Sequence, residues 1–124
     1  EAGLGLERKP SDLIRILRLL VEELAPRARN PIRLDDGDLD RLIVAADPDA
    51  LAILLRNLIE NALEHGTGEV RIVIASSGRL VIENPAEKPR LSTLAQAMNV
   101  PVVETTGDDT VRVELRFEVI PTSA

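Results

Sequence analysis

The sequence predicts an α+β fold: a two-layer sandwich in which a mixed, mostly antiparallel sheet carries three helices on one face. Three observations lead there. Segments with helical spacing alternate with pairs of short apolar runs, in the order helix, two strands, repeated three times. The runs within each pair are joined by short turn-rich segments, which favours antiparallel neighbours. At 124 residues the chain is long enough for one domain, which we take to span 1–124.

The first helix is read from "PSDLIRILRLLVEELAPRA". Ser11 or Asp12 serves as N-cap, and Leu13, Ile14, Ile16, Leu17, Leu19, Leu20, Val21 and Leu24 recur at helical spacing. Pro26 ends it. "NPIRLDDGDLDRLIVAADP" holds two short apolar runs about Asp35-Asp36-Gly37-Asp38 and reads as a hairpin. "DPDALAILLRNLIENALEH" is the second helix, capped by Asp47 or Asp49 and stopped by Gly66. "GEVRIVIASSGRLVIENP" is a second hairpin that turns at Ser76-Ser77-Gly78. "LSTLAQAMN" is a short third helix with Ser92 near its start. "VPVVETTGDDTVRVELRFEVI" supplies one short and one long strand.

Composition excludes several classes of function. The chain has no cysteine and one histidine, which removes disulfides and Cys-ligated zinc and makes a structural zinc site untenable. A net charge of −6 opposes general affinity for phosphate backbones. Phe117 is the only aromatic residue, so no stacking platform for single-stranded nucleic acid exists. No apolar run approaches the ~20 residues of a membrane span. Asp35–Asp38 followed by Asp40 invites a Ca²⁺ reading, yet lacks the spacing and closing Glu of an EF-hand loop. Nor does any serine stand in a nucleophile-elbow context.

The second helix carries the chemistry. At about 100° per residue, Leu51, Leu54, Leu55, Leu58, Ile59 and Ala62 share one arc. Arg56, Asn57, Glu60, Asn61 and Glu64 share the opposite one, and His65 falls at the apolar edge beside Asn61. Asn is a poor helix former, so two of them one turn apart need a reason. One reading is a solvated face with an Arg56–Glu60 pair. The other is a pair of hard amide oxygens placed over one spot, suited to Mg²⁺, which takes one or two protein oxygens together with substrate phosphates.

"LAILLRNLIENALEHG" resembles the N box of sensor histidine kinases, in the GHKL ATPase superfamily. The matching residues are Asn57, Leu58, Asn61, Ala62 and His65. The preceding "VAADPDALAILL" is similar to that family's strand–turn–helix approach. "EAGLGLERKPSDLIRIL" resembles its join from the dimerisation helices, with residues 1–9 as the end of that join. The start at Glu1, without Met, fits a piece of a longer protein.

The resemblance implies an ATP-binding catalytic domain. The parent would be a histidine protein kinase, moving the γ-phosphoryl of ATP to a His on its own dimerisation domain. Asn61 would ligate Mg²⁺. Asn57, which it marks as the catalytic position, would contact metal or phosphates, and His65 would face the nucleotide. It implies ATP/ADP and Mg²⁺ as cofactors, with the phosphoacceptor domain and a response regulator as partners. Nucleic acid is not among the partners. It also implies a cytoplasmic domain without direct membrane contact, in a parent that an inner-membrane anchor would hold.

Other parts depart from the family pattern. Where the family has a strand ending in Asp-x-Gly-x-Gly, whose Asp reads the adenine amino group, this chain has "LVIENPAEKP". Alternation sets Asn84 on the Asp position, with Glu83 on the opposite face. Only Ala86 to Arg90 stand where the family has a long lid, and no glycine occurs between Gly78 and Gly107. The "GLGL" at Gly3–Leu6 precedes the first helix and cannot be the missing glycine box. Glu64 occupies a position where the family often has a cation reaching phosphate. These departures support a rival reading, a pseudo-ATPase that kept the fold as an interaction module.

Overall fold

In the computed structural model, the described residues are 9–85, 102–107 and 110–121, with 102–107 described as backbone. Strand β1 (Pro10–Asp12) leads into helix α1 (Leu13–Leu24), followed by a 3-10 turn at Ala25–Arg27. Strands β2 (Ile32–Asp35) and β3 (Ile43–Ala45) precede helix α2 (Pro48–His65). Strands β4 (Val70–Ile74), β5 (Arg79–Pro85), β6 (Val102–Gly107) and β7 (Thr110–Arg116) complete the order. Among the described residues there are two α-helices; the third predicted helix, over 91–99, lies outside them.

Local chemistry sets the helix ends. Asp12 is the N-cap of α1: its carboxylate accepts from the backbone N–H of Arg15 at 3.4 Å and of Leu42 at 3.1 Å. The same side chain thus starts the helix and ties it to the approach of β3. Asp47 caps α2 by accepting from Ala50 N–H at 2.9 Å, with Pro48 in the first turn where its missing N–H costs nothing. Ser11 and Asp49, the other cap candidates, do different work. Ser11 is buried and donates its hydroxyl to the Ala46 carbonyl, while Asp49 adds an acid to the first turn of α2.

The main sheet has five strands in the order β2-β4-β5-β7-β6. β2 and β4 are parallel, and every other neighbouring pair is antiparallel. Leu80, Ile82 and Asn84 of β5 and Val111, Val113 and Leu115 of β7 alternate inward, as a one-sided sheet requires. They meet Leu51, Leu54, Leu55, Leu58, Ile59 and Ala62 of α2, together with Leu13, Ile14, Leu17, Leu20 and Leu24 of α1, in a single core. Each fully buried Leu or Ile there is worth about 1.5–3 kcal/mol against exposure.

The opposite face of the sheet carries charge. Glu83 pairs with Arg71 at 3.9 Å, and Glu114 sits among Arg79, Arg112 and Arg116 at 3.0, 3.9 and 3.0 Å. The two layers therefore follow the predicted sandwich, and no helix among the described residues is long and apolar enough to cross a membrane.

The expected hairpin at 31–46 does not form. β2 joins the edge of the main sheet, parallel to β4, with β3 and α2 as the crossover. β3 instead pairs with β1 in a separate two-stranded ribbon, and Val44 also bridges to Val119. The Asp-Asp-Gly-Asp segment is a turn, with Gly37 at φ +62 and Asp38 at φ +61. It is pinned to α1 rather than closing a ladder: Arg18 donates to Asp36 at 2.7 and 3.1 Å and to the Leu39 carbonyl at 2.8 Å.

Candidate functional site

Asn57, Asn61 and His65 stand on three successive turns of α2, on the flank between its buried stripe and its outer face. Asn57 is exposed and Asn61 half-buried. Neither side chain hydrogen-bonds to any described residue. His65 is exposed rather than packed at the edge of the core, because it occupies the last helical position, where the chain turns away at Gly66.

Asn84, near the end of β5, is 4% exposed. Its side-chain amide donates to the Ala62 carbonyl at 3.2 Å and to the Pro85 carbonyl at 3.1 Å. Ala62 lies in the last turn of α2, where carbonyls have no intrahelical donor. Asn84 thus braces the end of the helix that carries Asn61, and strand and helix meet here. Its Oδ1 accepts no hydrogen bond among the described residues. A buried acceptor with no donor costs of order 1–3 kcal/mol if left unmade, so a partner at that atom stabilises the site.

A glycine after a helix suggests a left-handed cap, yet Gly66 has φ −82 and ψ 155, open to any residue. The constraint is space. A Cβ here would lie 2.3 Å from the Ala62 carbonyl oxygen and 2.6 Å from Nδ2 of Asn84. The Gly66 carbonyl accepts from Asn30 Nδ2 at 3.3 Å, and Thr67 N–H donates to the Pro85 carbonyl at 2.8 Å. The end of α2 is therefore fastened to both β5 and the segment before β2.

Glu60 and Glu64 belong to another feature. A cleft of about 560 Å³ lies between the ends of α1 and α2, lined by Leu24, Arg27, Ala28, Arg29, Glu60, Leu63 and Glu64. None of Asn57, Asn61, His65 or Asn84 lines it. Arg56 bridges the two helices above it, donating to Glu23 and standing 4.0 Å from Glu60. The predicted Arg56–Glu60 pair is thus the weaker half of an inter-helix link. No cluster of three or more His, Asp or Glu suited to a metal occurs among the described residues.

Comparison with solved structures decides the fold. The cytoplasmic segment of histidine kinase QseC superposes with a TM-score of 0.73, at 15% identity, over 90% of this chain and 73% of that one. This chain has the histidine kinase catalytic fold. The catalytic domain of histidine kinase ThkA matches with a TM-score of 0.72, at 16% identity, over 92% of this chain and 98% of that one. Full-length ShkA in complex with AMPPNP matches at 0.65 and 20% identity, over 95% of this chain and 32% of that one. No family model matches the sequence. No curated protein matches it either.

Proposed function

We propose that this chain is the nucleotide-binding catalytic domain of a two-component sensor histidine kinase. In the parent it supplies the γ-phosphoryl of ATP to a His on the protein's own dimerisation domain, from which a response regulator takes it. The observation that carries the reading is the Asn57/Asn61 flank of α2, whose side chains bond to no described residue, together with the buried Asn84 at the end of β5, whose Oδ1 has no donor among the described residues, on this fold. ShkA, which shares the fold, was solved with a nucleotide analogue, and that supports a nucleotide here.

Each residue has a distinct part. Asn61 and Asn57 would hold Mg²⁺ through their amide oxygens, and Asn57 would also reach the phosphates. When bound, Mg²⁺ neutralises phosphate charge during transfer. Asn84 accepts a hydrogen bond from the adenine amino group. His65 borders the nucleotide from the last turn of the helix. The protein's contribution is positioning and charge balance, not covalent catalysis. Equilibrium titration with Mg-ADP, wild type against Asn61→Ala, tests it. Saturable binding that weakens in the variant supports the reading; equal binding by both removes Asn61 from the site.

A further inference from the structure

Asn84 is an amide where a carboxylate would read the same base, and an amide can turn over. In one orientation it offers an acceptor, in the other a donor. A free Asn at this position would accept from a 6-amino purine or, once flipped, donate to a 6-oxo purine. It would therefore discriminate poorly.

This Asn is not free. Its Nδ2 faces two carbonyl oxygens, Ala62 at 3.2 Å and Pro85 at 3.1 Å. Flipping would bring Oδ1 against both, trading two hydrogen bonds for two oxygen–oxygen repulsions in a site only 4% exposed. The open valence is then always the acceptor. Gly66 keeps the arrangement: any side chain there would enter the space of Nδ2 and of the Ala62 carbonyl.

We propose that the carbonyls of Ala62 and Pro85, with Gly66 as positioning residue, lock the Asn84 amide so that this site selects 6-amino purine nucleotides and rejects 6-oxo ones. The inference rests on the nucleotide reading above. It adds that selectivity is set by backbone groups at the end of α2, not by charge.

The probes are Mg-ADP and Mg-IDP, which differ at the purine 6-position, titrated into this chain. The wild type should favour ADP by about tenfold or more, the scale of one hydrogen bond to a buried group. Gly66→Ala, which crowds Nδ2, should bring the ratio below about threefold. A Gly66→Ala protein that folds and keeps the wild-type ratio overturns the lock. So does a wild-type ratio near one, which needs no variant at all. Absence of binding by either nucleotide overturns the nucleotide reading itself, and equal binding of both overturns only the lock.

Discussion

Arg79 grips Glu114 at two points across neighbouring strands β5 and β7: Nη2 donates to Oε1 at 3.0 Å, and Nε stands 3.0 Å from Oε2 as an ion pair. Arg116 adds a third contact at 3.0 Å. The Arg79 hydrogen bond is the main reason that the Glu114 carboxyl ionises below the ordinary glutamate range, with burial opposing it and the charges of Arg79, Arg116 and Arg112 adding to it. A carboxylate depressed in the folded state adds stability above its unfolded pKa and loses it as pH falls through the folded value. Urea midpoints should therefore drop as pH falls below the usual glutamate range. In Glu114→Gln that drop should be shallower; an unchanged slope assigns the acid sensitivity to Glu23 and Asp36, which are held low by Arg56 and Arg18.

The start of α2 rests on one carboxylate. Asp47 accepts from Ala50 N–H at 2.9 Å, and no other described group caps that end. Asp47→Ala should cost about 1 kcal/mol of unfolding free energy, measured by urea titration. A loss within a few tenths of wild type would mean that Asp49 moves in as cap.

Gly78 is a second place where only glycine serves. It turns β4 into β5 at φ +91, and a Cβ would fall 2.3 Å from the Phe117 carbonyl oxygen. Its own carbonyl accepts from Phe117 N–H at 2.9 Å. Both strain and contact oppose a side chain, so Gly78→Ala should destabilise by more than about 1 kcal/mol. A neutral effect in thermal unfolding would contradict the close approach.

Asn61→Ala should weaken Mg-nucleotide binding by about 1–3 kcal/mol, the cost of a polar contact left unmade, while leaving the unfolding free energy nearly unchanged. The side chain makes no hydrogen bond to a described residue, which is why stability should not follow. Calorimetric titration and urea unfolding of the same preparation separate the two. Equal losses in both would make Asn61 a structural residue.

Helices α1 and α2 were legible because each repeats an apolar stripe over three turns or more. Leu51, Leu54, Leu55, Leu58, Ile59 and Ala62 fill the core as their spacing required. The hairpin β4–β5 was legible from its turn residues. β1 was not: Pro10, Ser11 and Asp12 carry no alternation, and they form a strand only because β3 offers a ladder. The same fact undid the β2–β3 hairpin, where the local turn signal was real but the strands found better partners elsewhere. At the site, the N-box resemblance singled out Asn57 and Asn61 and strand alternation pointed Asn84 inward. The Asn84–Ala62 contact spans 22 residues and no local pattern encodes it. Gly66 would have been found only by asking what a Cβ meets there.

On the proposed function, nucleotide binds along the Asn57–Asn61 flank of α2 and the end of β5. Amide chemical shifts followed by NMR during addition of Mg-ADP test it most directly. Saturable shifts are expected at Asn57, Asn61, His65, Gly66 and Asn84, with affinity between tens of micromolar and millimolar, about 4–7 kcal/mol. Shifts confined to the cleft at Leu24, Arg29 and Leu63, or none at millimolar nucleotide, would contradict it and leave an interaction module on a kinase fold.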